Sequence, residues 1–254
     1  MRGDDTDIGG RRGAFPETPA SAVLAARSDD PVARARAFHT LVTAYWKPVY
    51  KCVRIRFRKS NEEAKDLTQA FFTRALEKET FGAYDAERGR FRAFMRTCLS
   101  NFVTNEEEAR RRLKRGGGAV TLSLDFDEAE AEIATSTVDP GRSFEEDFDR
   151  EWVRSLHAMG VEALREHLEA RGKGGYFRLF ASYDLVEDPG DRPTYGALAE
   201  EMGVKVTDVT NHLAHARREL RRIILGRLRE ITASEEEFRD EARLVLGVDV
   251  AELG

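Results

Sequence analysis

Apolar residues recur at helical spacing along most of the chain, and where the spacing lapses a glycine, a proline or a short polar run takes over. Over residues 19–115 the breaks fall at Asp29-Asp30-Pro31, Lys59-Ser60-Asn61, Gly82 and Gly89, which predicts about four helices in one domain. Within it, residues 62–79 read EEAKDLTQAFFTRALEKE: Leu67, Phe71 and Ala75 make an inward stripe that Phe72 and Leu76 widen. Asp66, Gln69, Thr73 and Glu77 stay outside, and Ser60 is placed to cap the helix. A second helical domain is expected over 144–232, interrupted by Gly172-Lys173-Gly174-Gly175 and by the polar loop 187–193. It closes on TYGALAEEMGVKVTDVTNHLAHARRELRR, residues 194–222, which reads as helix, glycine turn, helix. Thr194 suits an N-cap, Leu198, Ala199 and Met202 face the partner helix, and Gly203 permits the sharp turn. In the second of these helices Val209, Leu213, Ala216, Leu220 and Ile223 point inward. Strand signals are nearly absent, so the expected fold is all-α, two small helical domains.

The remaining segments have a different composition. Residues 1–18 are rich in Gly, Asp and Arg with almost nothing to bury, and a disordered tail is expected there. Residues 116–143 open on GGG and carry Asp125, Asp127, Glu128, Glu130, Glu132 and Asp139 against Arg142, which predicts a flexible acidic linker. Residues 233–254 contain the amphipathic stretch EEEFRDEARLVLGV, expected to dock on its own domain or on a partner.

Charge and chemistry narrow the function classes. A formal net charge of -5 over 254 residues confines nucleic-acid binding to local patches. Cys52 and Cys98 lack CxxC spacing and read as buried thiols in a reducing compartment. The five histidines form no metal-spaced set and no GxxxxGK[ST] loop is present, so no metal, cofactor or enzymatic activity is expected. No apolar run is long enough for a membrane span and no signal-peptide core opens the chain, which predicts a cytoplasmic protein without a membrane partner.

Two patches suit nucleic acid. The outer face of the last helix carries Asp208, Asn211, His212, His215, Arg218 and Arg222, the arrangement of a helix that reads duplex DNA. Residues 89–105, GRFRAFMRTCLSNFVTN, interleave Phe91, Phe94 and Phe102 with Arg90, Arg92 and Arg96, then run into Arg110, Arg111, Arg112, Lys114 and Arg115. Aromatics among arginines fit single strands, because bases stack on rings while cations hold phosphates; phenylalanines at helical spacing also fit a core. Arg90 and Arg92 could hold phosphate or brace Asp85 and Glu87. The run Glu106-Glu107-Glu108 would repel duplex DNA, so it points away from nucleic acid or alters the preference there.

The ordered set YWKPVY, EEAKDLTQAFFTRALE, YDAERGRFRAFMRTCLSNF, KRGGG and the terminal helix-turn-helix resembles the extracytoplasmic-function (ECF) group of bacterial RNA polymerase sigma factors, from about Ser21 to Leu246. The resemblance implies a region 2 domain that binds the polymerase clamp and opens the promoter −10 element, and a region 4 domain that binds the −35 element. Asp66, Leu67, Gln69 and Thr73 then take the positions that meet the β′ clamp helices, with the β flap as a second contact of the polymerase. Arg92, Phe94, Arg96, Asn101, Arg110, Lys114 and Arg115 approach the −10 element. Thr207, Asp208, Thr210, Asn211, His212, His215, Arg217, Arg218, Arg221 and Arg222 lie at the −35 element, with Asn211 and Arg218 placed for base edges and Arg217, Arg221 and Arg222 for phosphates. Core RNA polymerase and promoter DNA are the implied partners, with an anti-sigma protein or other regulator as a further one. A rival reading from the same residues is a dimeric one-component helix-turn-helix regulator, which predicts a stable homodimer and a palindromic site.

Overall fold

The computed structural model describes residues 21–112, 124–135, 139, 141–186 and 188–247, and among them the regular structure is helical, without strands. After a single turn, α1 (Ala22–Ala25), helix α2 (Pro31–Ile55) starts with Pro31 in its first turn and Asp30 accepting from the Val32 amide at 2.9 Å. Helix α3 (Asn61–Glu77) opens on a capping box in which Ser60 and Glu63 satisfy each other's backbone amides. Two 3-10 turns, Thr80–Ala83 and Ala86–Arg88, lead into α4 (Phe91–Arg112). The sequence breaks thus coincide with helix ends. Leu67, Phe71, Phe72 and Ala75 are buried. Leu76, expected beside them, is 43% exposed, because it edges a hollow between Ala26, Phe38 and Phe81 instead of entering the core.

The expectation of a flexible acidic linker is corrected over the stretch the structure describes. Phe126–Thr135 form helix α5. Phe126 packs against the rings of Trp46 (5.6 Å) and Tyr50 (4.9 Å), and Ala129 is fully buried. Its carboxylates meet a basic side of α2: Glu130 accepts from Arg54 at 2.6 Å, and Glu132 accepts from Lys47 at 2.7 Å and also from Lys51. Acidic composition alone reads as solvated, but here the opposite charges lie on a helix far away in sequence. Residues 116–123 and the tail at 1–18 lie outside the described residues.

The second half builds on α6 (Phe144–Ala170), which again starts with a capping box, Ser143 with Glu146. It is followed by α7 (Gly174–Asp184), α8 (Tyr195–Met202), α9 (Val206–Glu230) and α10 (Glu235–Leu246). Helix α6 packs on α2, with the fully buried Tyr45 and Trp152 stacked at 6.1 Å, so one continuous core joins the two halves. Helices α6 and α9 cross closely at Gly160, where an added Cβ would meet Ile224 Cγ1 at 2.8 Å. On α9 the buried row is Val209, Leu213, Ala216, Leu220, Ile224 and Leu228; the row shifts from the expected Ile223 to Ile224 as the 3.6-residue repeat advances. Helix α10 docks back on the chain through Phe238 and Ala242, with the Arg229 guanidinium 4.0 Å from the Phe238 ring centre.

Cys52 and Cys98 are both free thiols, the first buried and the second half-buried. Among the described residues no group of His, Cys, Asp or Glu is placed to hold a metal ion, and no helix is long and apolar enough to cross a membrane.

Candidate nucleic-acid interface

Helices α8 and α9 form a helix-turn-helix whose local causes are all in place. The Thr194 hydroxyl accepts from the Ala197 amide at 3.2 Å. Gly203 ends α8 with φ 65°, a left-handed conformation that a side chain disfavours, and the Val204 amide bonds back to the Ala199 carbonyl at 3.0 Å. Leu198 and Ala199 are buried and Met202 packs against the core, which fixes the tilt of α9 over α8. The opposite face of α9 then presents Thr207, Thr210, Asn211, Arg217, Arg218, Arg221 and Arg222 to solvent.

Some residues of that face are already engaged. Asp208 accepts from the Lys205 amide at 3.3 Å and so closes the start of α9. The His212 ring lies on the ring of Tyr176 at 3.7 Å, nearly parallel, and His215 meets the same ring edge-on at 5.4 Å. Burial, then the nearby Lys173 cation, holds the His215 imidazole below its ordinary range. Arg217 is clamped by both oxygens of Asp184 at 2.8 Å, and Arg222 pairs with Glu219 at 2.9 Å. Asn211, Arg218 and Arg221 are exposed on the same face, as are Thr207 and Thr210. The supporting role of Tyr176 was not visible in sequence, since a stacking partner on α7 leaves no periodic signal on α9.

On α3, Asp66 is exposed and Gln69 and Thr73 are half-buried on the outer side. Leu67, expected beside them, is 4% exposed and packs in the core of the free chain. The polar members alone make the ridge.

On α4 the expected strand-contacting residues divide. Asn101 is exposed. Phe94 is half-buried between Tyr84 (5.5 Å) and Phe91 (5.8 Å). Phe91 and Phe102 are core, which settles both rings as packing residues. Arg92 is only 5% exposed: it pairs with Asp149 of α6 at 3.4 Å and Glu241 of α10 at 3.2 Å, and its guanidinium lies 4.8 Å from the Trp152 ring centre. Arg96 donates to Asp149 at 2.7 Å, and Arg90 donates to Asp240 at 2.6 Å. The arginines are braced, though not by Asp85 or Glu87, and Arg92 is withdrawn from solvent in this closed arrangement. Glu106 turns onto Arg74 at 2.6 Å and Glu107 onto Lys59, so these two carboxylates point toward α3 and the loop that precedes it. Arg110 falls within α4, but its side chain, like Lys114 and Arg115, lies outside the described residues.

A family model described as ECF sigma factor matches residues 24–179, from α1 into α7 and more than half of the chain. No curated protein and no solved structure gives a match.

Proposed function

The chain belongs to the ECF sigma factor family, and we propose that faces of its helices α3, α4 and α9 divide the work of promoter-directed transcription initiation. The polar ridge Asp66, Gln69 and Thr73 of α3 binds the β′ clamp helices of core polymerase, where an acidic, amide-bearing helix complements a basic coiled coil. The start and middle of α4, with Arg92, Arg96 and Asn101, stabilise the opened −10 strand once the arginines are released from their carboxylates. Helix α9 reads the −35 element in the major groove, Asn211 and Arg218 contacting base edges and Arg221 a phosphate.

One observation carries this reading: a helix-turn-helix whose inner face is buried at Val209, Leu213 and Ala216 while Thr207, Thr210, Asn211, Arg218 and Arg221 stand exposed on the outer one. Unstacking bases costs on the order of a few kcal/mol each, so a chain with net negative charge needs polymerase contacts to make opening favourable.

The test is run-off transcription with purified core polymerase on a genomic promoter library. Wild type yields promoter-specific starts; Asp66→Ala with Gln69→Ala loses them by failing to join the polymerase. Asn211→Ala with Arg218→Ala joins normally but loses promoter choice, with a cost of about 1–3 kcal/mol for each bidentate base contact removed. A chain that joins polymerase without changing where synthesis begins refutes the proposal.

A further inference from the structure

The first turn of α4 is held by carboxylates from the far end of the chain. The Phe91 amide, one of the orphan donors at the start of a 22-residue helix, donates to Glu237 Oε1 at 2.7 Å, and the other oxygen of that carboxylate accepts from the Ala233 amide at 2.7 Å. One turn further along α10, Asp240 pairs with Arg90 at 2.6 Å and Glu241 faces Arg92 at 3.2 Å. From α6, Asp149 pairs with both Arg92 and Arg96. Four acidic side chains therefore occupy three arginines and a helix N-terminus, the donor set that a chain of phosphates would use.

Among the described residues both oxygens of Glu241 and Nη1 of Arg92 are buried without a hydrogen-bond partner, although the two groups face each other at 3.2 Å. A buried ion pair with incomplete hydrogen bonding returns little of its desolvation cost, so it adds specificity of docking at small net stability. Phe238 and Ala242 are the apolar part of the α10 contact, and the acidic row is its polar part.

We propose that α10 is an intramolecular latch, in which Glu237, Asp240 and Glu241 sit on the cationic start of α4 as stand-ins for the promoter strand's phosphates. The chain alone is thereby closed, and joining core polymerase lifts α10 and frees Arg90, Arg92 and Arg96. This rests on the assignment of α4 to the opened strand made above.

The test uses the full chain with Glu237→Gln and Asp240→Asn together, Asp240→Asn alone as a milder variant, and a charge-matched control, Glu145→Gln with Glu236→Gln, at two exposed carboxylates. Binding of a fluorescein-labelled single-stranded DNA is followed by anisotropy, and amide hydrogen exchange is followed over residues 91–96. A latch that leaves about one chain in ten open gives roughly tenfold tighter binding when released, since apparent affinity scales with the competent fraction. The expected result is that gain in the double variant, a smaller one in Asp240→Asn, faster exchange in both, and no comparable gain in the control. Unchanged affinity overturns the latch, as does a gain the control reproduces. Run-off transcription separates the two levels. Promoter-specific transcripts from wild type beside unaltered strand binding in the variants remove the latch and keep the function; no promoter-specific transcripts from wild type remove both.

Discussion

Glu241 is 2% exposed, and burial pushes its carboxyl up to about 7 against the opposing pull of Arg92 and Arg90, with Glu237 and Asp149 adding to the rise. In an unfolded chain a glutamate titrates near 4.3, so the folded state binds this proton more tightly. Its contribution to stability is complete below the unfolded value, declines as pH rises between the two, and is gone above the folded one. Glu130, which Arg54 holds below the ordinary carboxylate range, acts in the opposite sense and only at more acid pH. His157 and His215, which burial holds below the ordinary imidazole range, act in the opposite sense within the same window, so the expectation is a difference: between pH 5.5 and 8 the wild-type melting temperature falls relative to that of Glu241→Gln, which keeps shape and loses the charge. Parallel melting curves for the two would show that the Glu241 carboxyl does not titrate in this range. Arg92 illustrates what a sequence conceals about a side chain: its place beside Phe91 on an amphipathic helix suggests a solvent-facing cation. Its surroundings come from Asp149 and Glu241, far along the chain, and no local pattern announces them. Leu67 illustrates the reverse, an inward position that helical spacing already marked, although the family resemblance assigned it to a partner surface.

Helix boundaries were legible because their causes are local. Asp30, Ser60, Ser143 and Thr194 each bond amides within three residues, and Gly203 needs its own positive φ whatever packs around it. Helix α5 was not, since its stability comes from Trp46, Tyr50, Arg54 and two lysines of α2. The crossing of α6 and α9 gives a paired prediction about two glycines with opposite surroundings. At Gly160 a methyl group would strike Ile224 Cγ1 at 2.8 Å and Leu220 Cδ1 at 3.3 Å, and a β-branched side chain on a helix has little freedom to yield. Gly226, inside α9, has nothing within 4 Å of the same added atom. Ala at either place gains about 1 kcal/mol of helix propensity, but overpacking at a crossing costs about 1–3 kcal/mol. Urea titration should find Gly226→Ala more stable than wild type and Gly160→Ala less stable. Equal shifts in one direction would mean that the crossing is looser than the distances imply.

Taken whole, the molecule is a closed body: α2 and α6 share a core, and acidic side chains of α6 and α10 meet the basic start of α4, although the chain carries a formal net charge of -5. If its two halves grip promoter elements at separate places, they must part on the polymerase. Cysteines introduced at the exposed Glu62 of α3 and Glu200 of α8 can report this by energy transfer. Burial pushes the native thiols up, Cys98 to about 11, so both react slowly with dyes at neutral pH. Transfer should be high in the free chain and drop when core polymerase is added; an unchanged signal would mean that the halves work side by side. Helix α5 limits that parting. While its glutamates hold Lys47, Lys51 and Arg54, the second half hangs from α5 by residues 136–143 alone, a leash of roughly 30 Å at full stretch. Strip α5 from α2 and the slack extends over 113–143, roughly 100 Å. The chain thus has a short stride and a long one, and the seat of α5 on α2, made by Phe126, Ala129 and the ion pairs of the buried Lys47 and Lys51, would select between them.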